Sequence, residues 1–426
     1  VCSSDLIIRP GGGSVSPQWL MYALNSPWVR GRIAAKKAGS GRIRISKKNL
    51  TGIPLPIPPY SEQERIADRV DELFTDLSAG VAALERVKRN LARYRAAVLH
   101  AAVTGKLTEA WRKEHGPADE PGPKLLQRIL AERRRQWEQR TLAKYEKTGK
   151  KPPKNWKSRY PEPAKPRPLP DGSPLPQLPQ DWCWASVGQL LDDSPQNGLY
   201  KPKEAYGDGT PIIRIDDFQD WWLRDVQELR SLSLTDAEYA IYRLNCGDLL
   251  INRVNSMTHL GKCTVVPDTH AEAVFESNMM RCRVSPVVDA TWIALSLREP
   301  SGKLRLKQNA KWAVNQASIN QTDVCETAIP LPPLAEQAAI IEAVNEKLSQ
   351  IDALEAEVER GLRRAGRLRQ AILKAAFEGK LVPQDPNDEP ASVLLERIRK
   401  EAASAQSRQP GKRRQRRQSS RKATSV

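Results

Sequence analysis

IPLPIPPYSEQERI, residues 53–66, joins an apolar, proline-rich run to the start of an amphipathic stretch. Its Pro58-Pro59-Tyr60 is the type of tripeptide that amino-methyltransferases carry in a catalytic loop, and it also suits a hinge between two structural elements. The same junction occurs again as AIPLPPLAEQAAI, residues 328–340. Two copies of one junction indicate that a larger unit is repeated.

The repeat extends well beyond this junction. A shift of 274 positions superimposes residues 45–108 on residues 319–382 without a gap, and a shift of 273 pairs Trp19 with Trp292 further upstream. A unit of this length is far longer than a solenoid repeat, so it predicts the duplication of a globular domain followed by a helix. Because residues 178–276 have no counterpart in the first copy, we expect the chain to begin late in its first domain.

Each copy contains a long amphipathic stretch. Apolar residues recur at steps of three and four from Ile66 to Val98 and from Ile340 to Ile372, which is typical of a coiled-coil seam. Some 42 helical residues would span about 63 Å at about 1.5 Å each. We expect the two helices to pair with each other in antiparallel fashion, the alternative being two amphipathic helices in separate bundles.

The ends of these helices carry recognisable signals. Ser61 and Glu64 fit a capping box at the start of the first helix. Gly105 and Gly379 fit left-handed residues that terminate the two helices.

Between the long helices, residues 178–334 read as one complete globular domain. It has short β-rich runs at Pro211–Ile215, Asp248–Asn252 and Gly261–Val266, and a helical pattern at Ala290–Leu297. The predicted fold class is therefore mixed α/β, with duplicated globular α/β domains joined by two long helices that pair as an antiparallel coiled coil. The predicted segments are a truncated first domain (1–60), the first long helix with a following helix (61–146), a Pro/Lys-rich linker (147–177), the second domain (178–334), the second long helix with a following helix (335–403) and a basic disordered tail (404–426).

The charge distribution predicts a polyanionic partner. The formal net charge is +18. Residues 9–48 hold nine basic residues and no acidic one, and the matching residues 277–311 hold seven basic and two acidic ones. Positive charge at the same place in both copies favours a phosphate-facing surface, although a solvated charged edge would look the same. The candidate residues are Arg30, Arg32, Lys36, Lys37, Arg42, Lys303, Arg305, Lys307 and Lys311.

Two further segments are unlike globular sequence. Residues 152–179 contain ten prolines, which predicts an extended tether with little regular structure. Residues 406–426 hold eight Lys or Arg and no acidic residue, so we expect a disordered tail that either adds non-specific DNA affinity or has no binding role.

Several classes of protein are disfavoured by composition. The six cysteines form no Cys-x-x-Cys pair and the four histidines do not cluster near them, so neither a metal site nor a disulfide framework is expected. No run approaches 18 consecutive apolar residues, and no export signal follows Val1. We expect a cytoplasmic protein that has no contact with a membrane.

The order of several short motifs resembles that of a known family, the specificity subunits of type I restriction-modification systems. Each motif alone is weak, but their order and repetition are specific, and the resemblance covers nearly the whole chain. The motifs are Leu178-Pro179-x-x-Trp182-x-Trp184, Gly247-Asp248-Leu249-Leu250, Leu260-Gly261-Lys262, Ile329-Pro330-Leu331-Pro332-Pro333-Leu334-x-Glu336-Gln337 and Ala375-Ala376-Phe377-x-Gly379-Lys380-Leu381.

The resemblance implies two target recognition domains that each read half of a split site on double-stranded DNA. It also implies a coiled coil that sets their spacing, and binding to methyltransferase and restriction/translocase subunits. Gly198-Leu199-Tyr200-Lys201 resembles a Gly-x-Tyr-Lys segment of such domains, which makes Tyr200 and Lys201 candidate DNA contacts. Asn315-Gln316 resembles a Thr-Gln segment, with Gly41-Arg42 as its counterpart. Gln316 and Arg42 could each contact a base edge, or cap the next element instead.

A catalytic role is disfavoured by one residue. An amino-methyltransferase needs Asn or Asp before Pro-Pro-aromatic to accept hydrogen bonds from the flipped base, and Ile57 stands there. No Gly-rich cofactor loop, Walker loop or nuclease spacing is present, so neither intrinsic catalysis nor a cofactor is expected. We therefore expect a non-catalytic DNA-reading subunit. The alternatives are a truncated coiled-coil scaffold that reads no complete site and a self-contained methyltransferase.

Overall fold

The chain folds into two compact units, here called unit 1 and unit 2. A computed structural model describes residue 8 and residues 13–36, 45–219, 222–313 and 316–407. Unit 1 contains residues 1–90 and 354–426, and unit 2 contains residues 91–353.

Helices make up most of unit 1, and unit 2 contains helices as well as strands. They are α1 (Pro17–Asn25), α2 (Pro27–Ala35), α3 (Lys47–Thr51), α4 (Tyr60–Val103), α5 (Glu109–His115), α6 (Gly122–Lys147), α7 (Asp236–Tyr242), α8 (Ala290–Arg298), α9 (Pro300–Leu306), α10 (Gln321–Cys325), α11 (Leu334–Phe377) and α12 (Ala391–Ser407). Within the described ranges, none is both long and apolar enough to cross a membrane.

The strands lie in unit 2. They are β1 (Cys183–Ser186), β2 (Gln196–Asn197), β3 (Tyr206–Gly207), β4 (Thr210–Ile213), β5 (Phe218–Gln219), β6 (Trp222–Leu223), β7 (Arg230–Leu232), β8 (Leu249–Asn252), β9 (Val254–Asn255), β10 (Cys263–Val265), β11 (Val274–Phe275), β12 (Met279–Cys282), β13 (Lys311–Ala313), β14 (Gln316–Ser318) and β15 (Ala328–Leu331). Two four-stranded sheets, β10-β8-β12-β2 and β11-β4-β7-β3, form the body of the domain.

The mixed α/β domain is closed by its first and last strands. β1 pairs with β15 in antiparallel fashion, with Cys183 opposite Leu331 and Ser186 opposite Ala328. Beside this pair, α8 and α6 pack into one apolar core, to which α6 contributes Leu125 and Ile129. This pairing brings together the two motifs that open and close the region in the sequence.

The duplication is visible in the helix boundaries. The bounds of α10 and α11 match those of α3 and α4 at an offset of 274 residues, and α8 matches α1 at an offset of 273. Trp19 and Trp292 occupy the same place in the repeat, and both are fully buried. The predicted duplication of a domain plus a helix is confirmed at the level of single helix ends.

The helices α4 and α11 run antiparallel in unit 1 and also contact each other in unit 2. In unit 1, Lys88 pairs with Glu359, and Gly361 faces Leu84. In unit 2, Arg95 of α4 forms an ion pair with Asp352 of α11. The residue numbers of the partners fall on one helix as they rise on the other, which confirms the predicted antiparallel coiled coil.

The ends of the long helices follow the sequence signals only in part. Gly105 and Gly379 adopt positive φ angles of 73° and 68°, as predicted for C-terminal residues of this kind. The predicted capping box is wrong, because α4 already begins at Tyr60 and the Ser61 hydroxyl donates to Asp388 at 2.5 Å. The C-terminal helix also extends further than expected, since α12 continues to Ser407.

The proline-rich stretch has little regular structure, as predicted, but it is held against unit 2. Arg167 forms an ion pair with Glu326, and the Ser186 hydroxyl donates to the carbonyl of Ala164 at 2.6 Å. Trp156 stacks on Trp137 of α6 with ring centroids 5.8 Å apart. This stretch is therefore a packed strap, not a free tether.

Candidate nucleic-acid interface

The candidate cations of the first copy lie on α2. Arg30 and Arg32 are exposed on this helix, and exposed Lys36 follows its last turn. The Arg32 guanidinium lies 3.5 Å from the centre of the Trp28 ring, a distance typical of a cation–π contact. Of the remaining candidates, Lys37 and Arg42 lie outside the described residues.

The candidates of the second copy separate into two groups. Arg305 is only 6% exposed, and its Nε donates to the carbonyl of Ala328 at 2.9 Å. Burial lowers the pKa of this guanidinium, which also lies over the Trp184 ring. Arg305 therefore packs against the β1–β15 pair, and we exclude it from the phosphate-facing set. The sequence could not separate it from its neighbours, because burial depends on the strand pair.

Lys303 and Lys307 lie nearer the surface of the same region. Both are half-buried, and the Lys307 ammonium donates to the carbonyl of Met257 at 2.8 Å. This bond attaches the end of α9 to the loop formed by residues 256–262. The loop precedes β10 and follows β9, so α9 and the central strands meet here.

The hairpin β13–β14 presents two further candidates. Lys311 and Gln316 are both exposed, and their strands pair with Trp312 opposite Ala317. β14 also pairs with β9, where Ala317 lies opposite Asn255. The three strands hold the hairpin against the body of the domain. Val314 and Asn315, between these strands in the sequence, lie outside the described residues.

Tyr200 and Lys201 lie on a loop after β2. The Tyr200 side chain is 81% exposed, the highest exposure among the large apolar side chains that the structure describes. Lys201 pairs with Glu238 of α7 at 2.7 Å, and this hydrogen bond is the main cause that lowers the pKa of Glu238 to about 2. Lys201 is thus oriented by an acid, whereas Tyr200 projects into solvent.

Residues 276–278 form a turn that contacts both the loop that bears Tyr200 and the segment beside the β13–β14 hairpin. Leu199 forms a parallel bridge to Glu276, and a Cβ on Gly198 would stand 2.2 Å from the Glu276 carbonyl, so the chain passes very close here. On the other side, Arg253 donates to the Ser277 carbonyl at 3.0 Å. β9 follows Arg253 and pairs with β14. The fold therefore places Tyr200 and Gln316 on segments that flank one turn.

Sequence reasoning missed two tryptophans at this surface. Trp312 is 73% exposed on β13, and Trp222 is 47% exposed on β6. Lys262 joins the loop before β10 to this second hairpin, because its ammonium donates to Gln219 of β5 at 2.5 Å. A tryptophan beside a lysine in a short strand, as in Lys311-Trp312, was the signal that could have drawn attention to the hairpin.

The proline junction forms a corner. Tyr60 is the first residue of α4, and Ile57 packs against the apolar cluster that contains Trp19 and Ile66.

Among the described residues, no group of three His, Cys, Asp or Glu side chains could hold a metal ion.

Comparisons with known proteins agree with this architecture. Residues 15–86 match the family model described as the type I restriction modification DNA specificity domain. The type I restriction enzyme StySPI specificity subunit of Salmonella potsdam is 27% identical over 399 residues, which cover 91% of this chain and 72% of that protein. The EcoKI specificity subunit of Escherichia coli (strain K12) is 26% identical over 409 residues, 92% of this chain and 75% of that protein.

One solved structure supports the fold. A chain determined in work on complex assembly and conformational transition of the type I R-M system superimposes with a TM-score of 0.54 and 20% identity. It covers 86% of this chain and 72% of its own length. Over most of its length, the chain is thus similar to specificity subunits of type I restriction enzymes.

Proposed function

We propose that this chain is a non-catalytic subunit that binds double-stranded DNA in a sequence-specific manner. The observation that carries the proposal is the surface around the turn at residues 276–278. There, exposed Tyr200 and the hairpin that bears Lys311 and Gln316 lie on adjoining segments. An amide side chain such as Gln316 can form two hydrogen bonds to an adenine edge, while ammonium groups contact phosphates.

The proposal extends to partners and to the form of the site. The similarity to specificity subunits supports docking of type I methyltransferase and restriction/translocase subunits, which would carry out methylation and cleavage. The internal repeat supports a bipartite target, with α2 of unit 1 and the turn surface of unit 2 each facing one half-site. In this assignment, Arg30, Arg32 and Lys36 contact phosphates of one half-site, and Lys303, Lys307 and Lys311 contact those of the other.

Methylome sequencing tests the proposal. The chain is expressed with a type I methyltransferase subunit in a host that lacks both genes, and methylated adenines are mapped. We expect modification at one defined motif, and the Gln316→Ala variant should relax the preference at one base position of that motif. A methylome without a motif, from a complex shown to assemble, would contradict sequence reading.

A second candidate function is a coiled-coil scaffold that docks partner subunits without reading a complete site. The long α4 and α11 favour it, since each of them spans 44 residues. Binding of random and motif-containing duplexes across a salt series separates the two functions. Steep salt dependence with equal affinity for both duplexes would support the scaffold.

A further inference from the structure

The end of α6 and the start of the proline-rich stretch carry a cluster of basic residues. Residues 140–159, here called the basic arm, hold eight Lys or Arg and one acidic residue. Five lysines of the basic arm are exposed and form no ion pair with a residue that the structure describes. They are Lys144, Lys147, Lys150, Lys151 and Lys154. The domain beside the arm has the opposite balance, since residues 180–330 contain 15 basic and 20 acidic residues.

The backbone at the end of α6 brings several of these lysines together. Lys144 and Lys147 are three residues apart and therefore share one face of the helix. Gly149 then adopts a left-handed φ of 64°, and the Lys150 amide donates to the Tyr145 carbonyl at 3.1 Å. A left-handed glycine with a backbone bond into the last turn is typical of a defined helix end. Lys147 and Lys150 are thus held at the same end of α6.

Aromatic side chains pack the returning chain against the helix. Trp156 stacks on Trp137, and Tyr160 meets the same Trp137 ring edge-on, with centroids 5.4 Å apart. The Tyr160 hydroxyl accepts from Arg133 Nη1 at 3.1 Å, and Tyr160 is buried. The lysines therefore lie on a packed hairpin made of the end of α6 and the residues that return along it.

The direction of α6 shows where the basic arm lies in unit 2. Near the start of α6, the Gly122 amide donates to the Asp181 carbonyl at 2.7 Å. Towards its end, Arg140 pairs with Asp193 at 3.2 Å. The helix thus runs alongside the segment that leads through β1 to β2 and then to the loop that bears Tyr200. Seven residues of α6 follow Arg140 and span about 10 Å at about 1.5 Å each, so the basic arm extends towards this loop.

We propose that the basic arm binds phosphates of duplex DNA beside the half-site that the turn surface of unit 2 reads, without preference for sequence. Ammonium groups contact phosphate oxygens whatever the neighbouring base. Stabilisation of the helix end does not account for the whole cluster, because that effect is limited to the last turn and Lys150, Lys151 and Lys154 follow it.

The inference rests on the proposed DNA function and adds a division of roles to it. A domain with more acidic than basic residues gains little affinity from its overall charge. The turn surface then provides the contacts that depend on sequence, while a separate segment provides contacts that do not. Such contacts release counterions, so they make the affinity depend on salt.

Two triple variants of equal charge test the proposal. The arm variant carries Lys147→Gln, Lys150→Gln and Lys151→Gln, and the control variant carries Lys106→Gln, Lys113→Gln and Lys124→Gln. All six lysines belong to unit 2 and are exposed, so neither variant should disturb the fold. Because both variants lose three positive charges, a difference between them reports the position of the charges and not their number.

Binding of labelled duplexes to the full chain is measured by anisotropy across a salt series. A short duplex ends at the limits of the motif that methylome sequencing defines, and a long duplex adds flanking sequence on both sides. On the long duplex, the arm variant should bind at least about tenfold more weakly than the parent chain at low salt, with a salt slope lower by about two to three. On the short duplex it should match the parent chain, and the control variant should match the parent chain on both.

A long duplex of random sequence separates this inference from the proposed function. The arm variant should lose the same factor there, whether or not the chain reads a motif. A parent chain that binds motif and random duplexes equally would contradict sequence reading alone. Three results would overturn the role of the basic arm: equal behaviour of the two variants, equal losses on the short and long duplexes, or loss of the methyltransferase subunit with DNA affinity intact. The last result would make the basic arm a protein-docking surface.

Discussion

Single carboxylates fix the first turn of each long helix. In unit 2, Glu336 on the first turn of α11 is 1% exposed and pairs with Arg112 of α5. In unit 1, Asp388 reaches the first turn of α4, where Arg65 contacts both of its oxygens and Ser61 donates to one. The segment after one long helix thus meets, in each unit, the start of the other. Neither partner could be chosen from the sequence, because both contacts join residues more than 200 positions apart.

Replacement of Glu336 by glutamine tests the buried pair. Glu336→Gln leaves Arg112 without a counterion and places an amide among three donors, so we expect unit 2 to lose about 3 kcal/mol of its free energy of unfolding. Hydrogen exchange of the β15 amides in urea measures this loss. Glu342→Gln, at an exposed position of α11, should change it by no more than about 0.5 kcal/mol. Equal values for the two variants would show that the pair contributes nothing.

The contacts of Asp388 lead us to expect that the stability of unit 1 depends on pH. Hydrogen bonds from Arg65 and Ser61 hold the pKa of Asp388 below its ordinary value of 3.8. A lowered pKa in the folded state means that the contact stabilises unit 1 above pH 3.8, and that this contribution is lost as pH falls through the lowered value. Thermal unfolding should therefore distinguish Asp388→Asn from the parent chain at pH 7 and not in strong acid. Asp68→Asn, at an exposed site on α4, should match the parent at both pH values; a constant deficit of Asp388→Asn would refute the linkage.

At the scale of the element, α4 and α11 show what periodicity can and cannot predict. The apolar steps of three and four identified both helices and the seam between them, whereas their antiparallel direction was implied by the family resemblance. Their starts at Tyr60 and Leu334 follow the proline run, which cannot continue a strand and leads into the first turn. Within the seam, Gly361 of α11 faces Leu84 of α4.

Two glycines of α11 should respond in opposite ways. A Cβ on Gly361 would stand 3.0 Å from Leu84 Cδ1, so Gly361→Leu should destabilise unit 1 by about 1–3 kcal/mol through overpacking. Gly366 has no atom within 4 Å of a Cβ at that position, so Gly366→Ala should stabilise it by up to about 1 kcal/mol through helix propensity. Thermal unfolding followed by circular dichroism measures both. Equal stabilities would mean that the two helices do not approach closely at Gly361.

At the scale of the whole molecule, the proposed function requires two kinds of contact on one surface. Lys311 and Gln316 lie on the two strands of one hairpin, with Trp312 exposed between Lys311 and the turn. The net charge of +18 favours DNA in general, but 15 basic and 20 acidic residues between 180 and 330 show that the second domain is not uniformly basic. Its affinity must then depend on where the few cations lie.

Substitutions of Lys311 and Gln316 should therefore weaken DNA binding in different ways. Lys311→Ala should weaken specific and random duplexes alike and reduce the salt slope by about one, as expected for a phosphate contact. Gln316→Ala should cost about 1–3 kcal/mol on the specific duplex only. Fluorescence anisotropy across a salt series measures both. Lys113→Ala, on exposed α5, is the control, and if it matches Lys311→Ala the binding surface has been assigned to the wrong face.

Sequence patterns alone predict the duplication, the two long helices, their glycine ends and the α/β character of residues 178–334. These features depend on local patterns that repeat along the chain, such as the junction at residues 53–66. Which candidate residues share a surface depends on contacts between distant parts of the chain, and no local pattern reveals them. Arg305 and Lys303 look alike in sequence, yet Arg305 is buried because β1 and β15 close over it. Likewise, Ser61 resembles a helix cap in sequence, but its hydroxyl donates a hydrogen bond to the distant carboxylate of Asp388 instead.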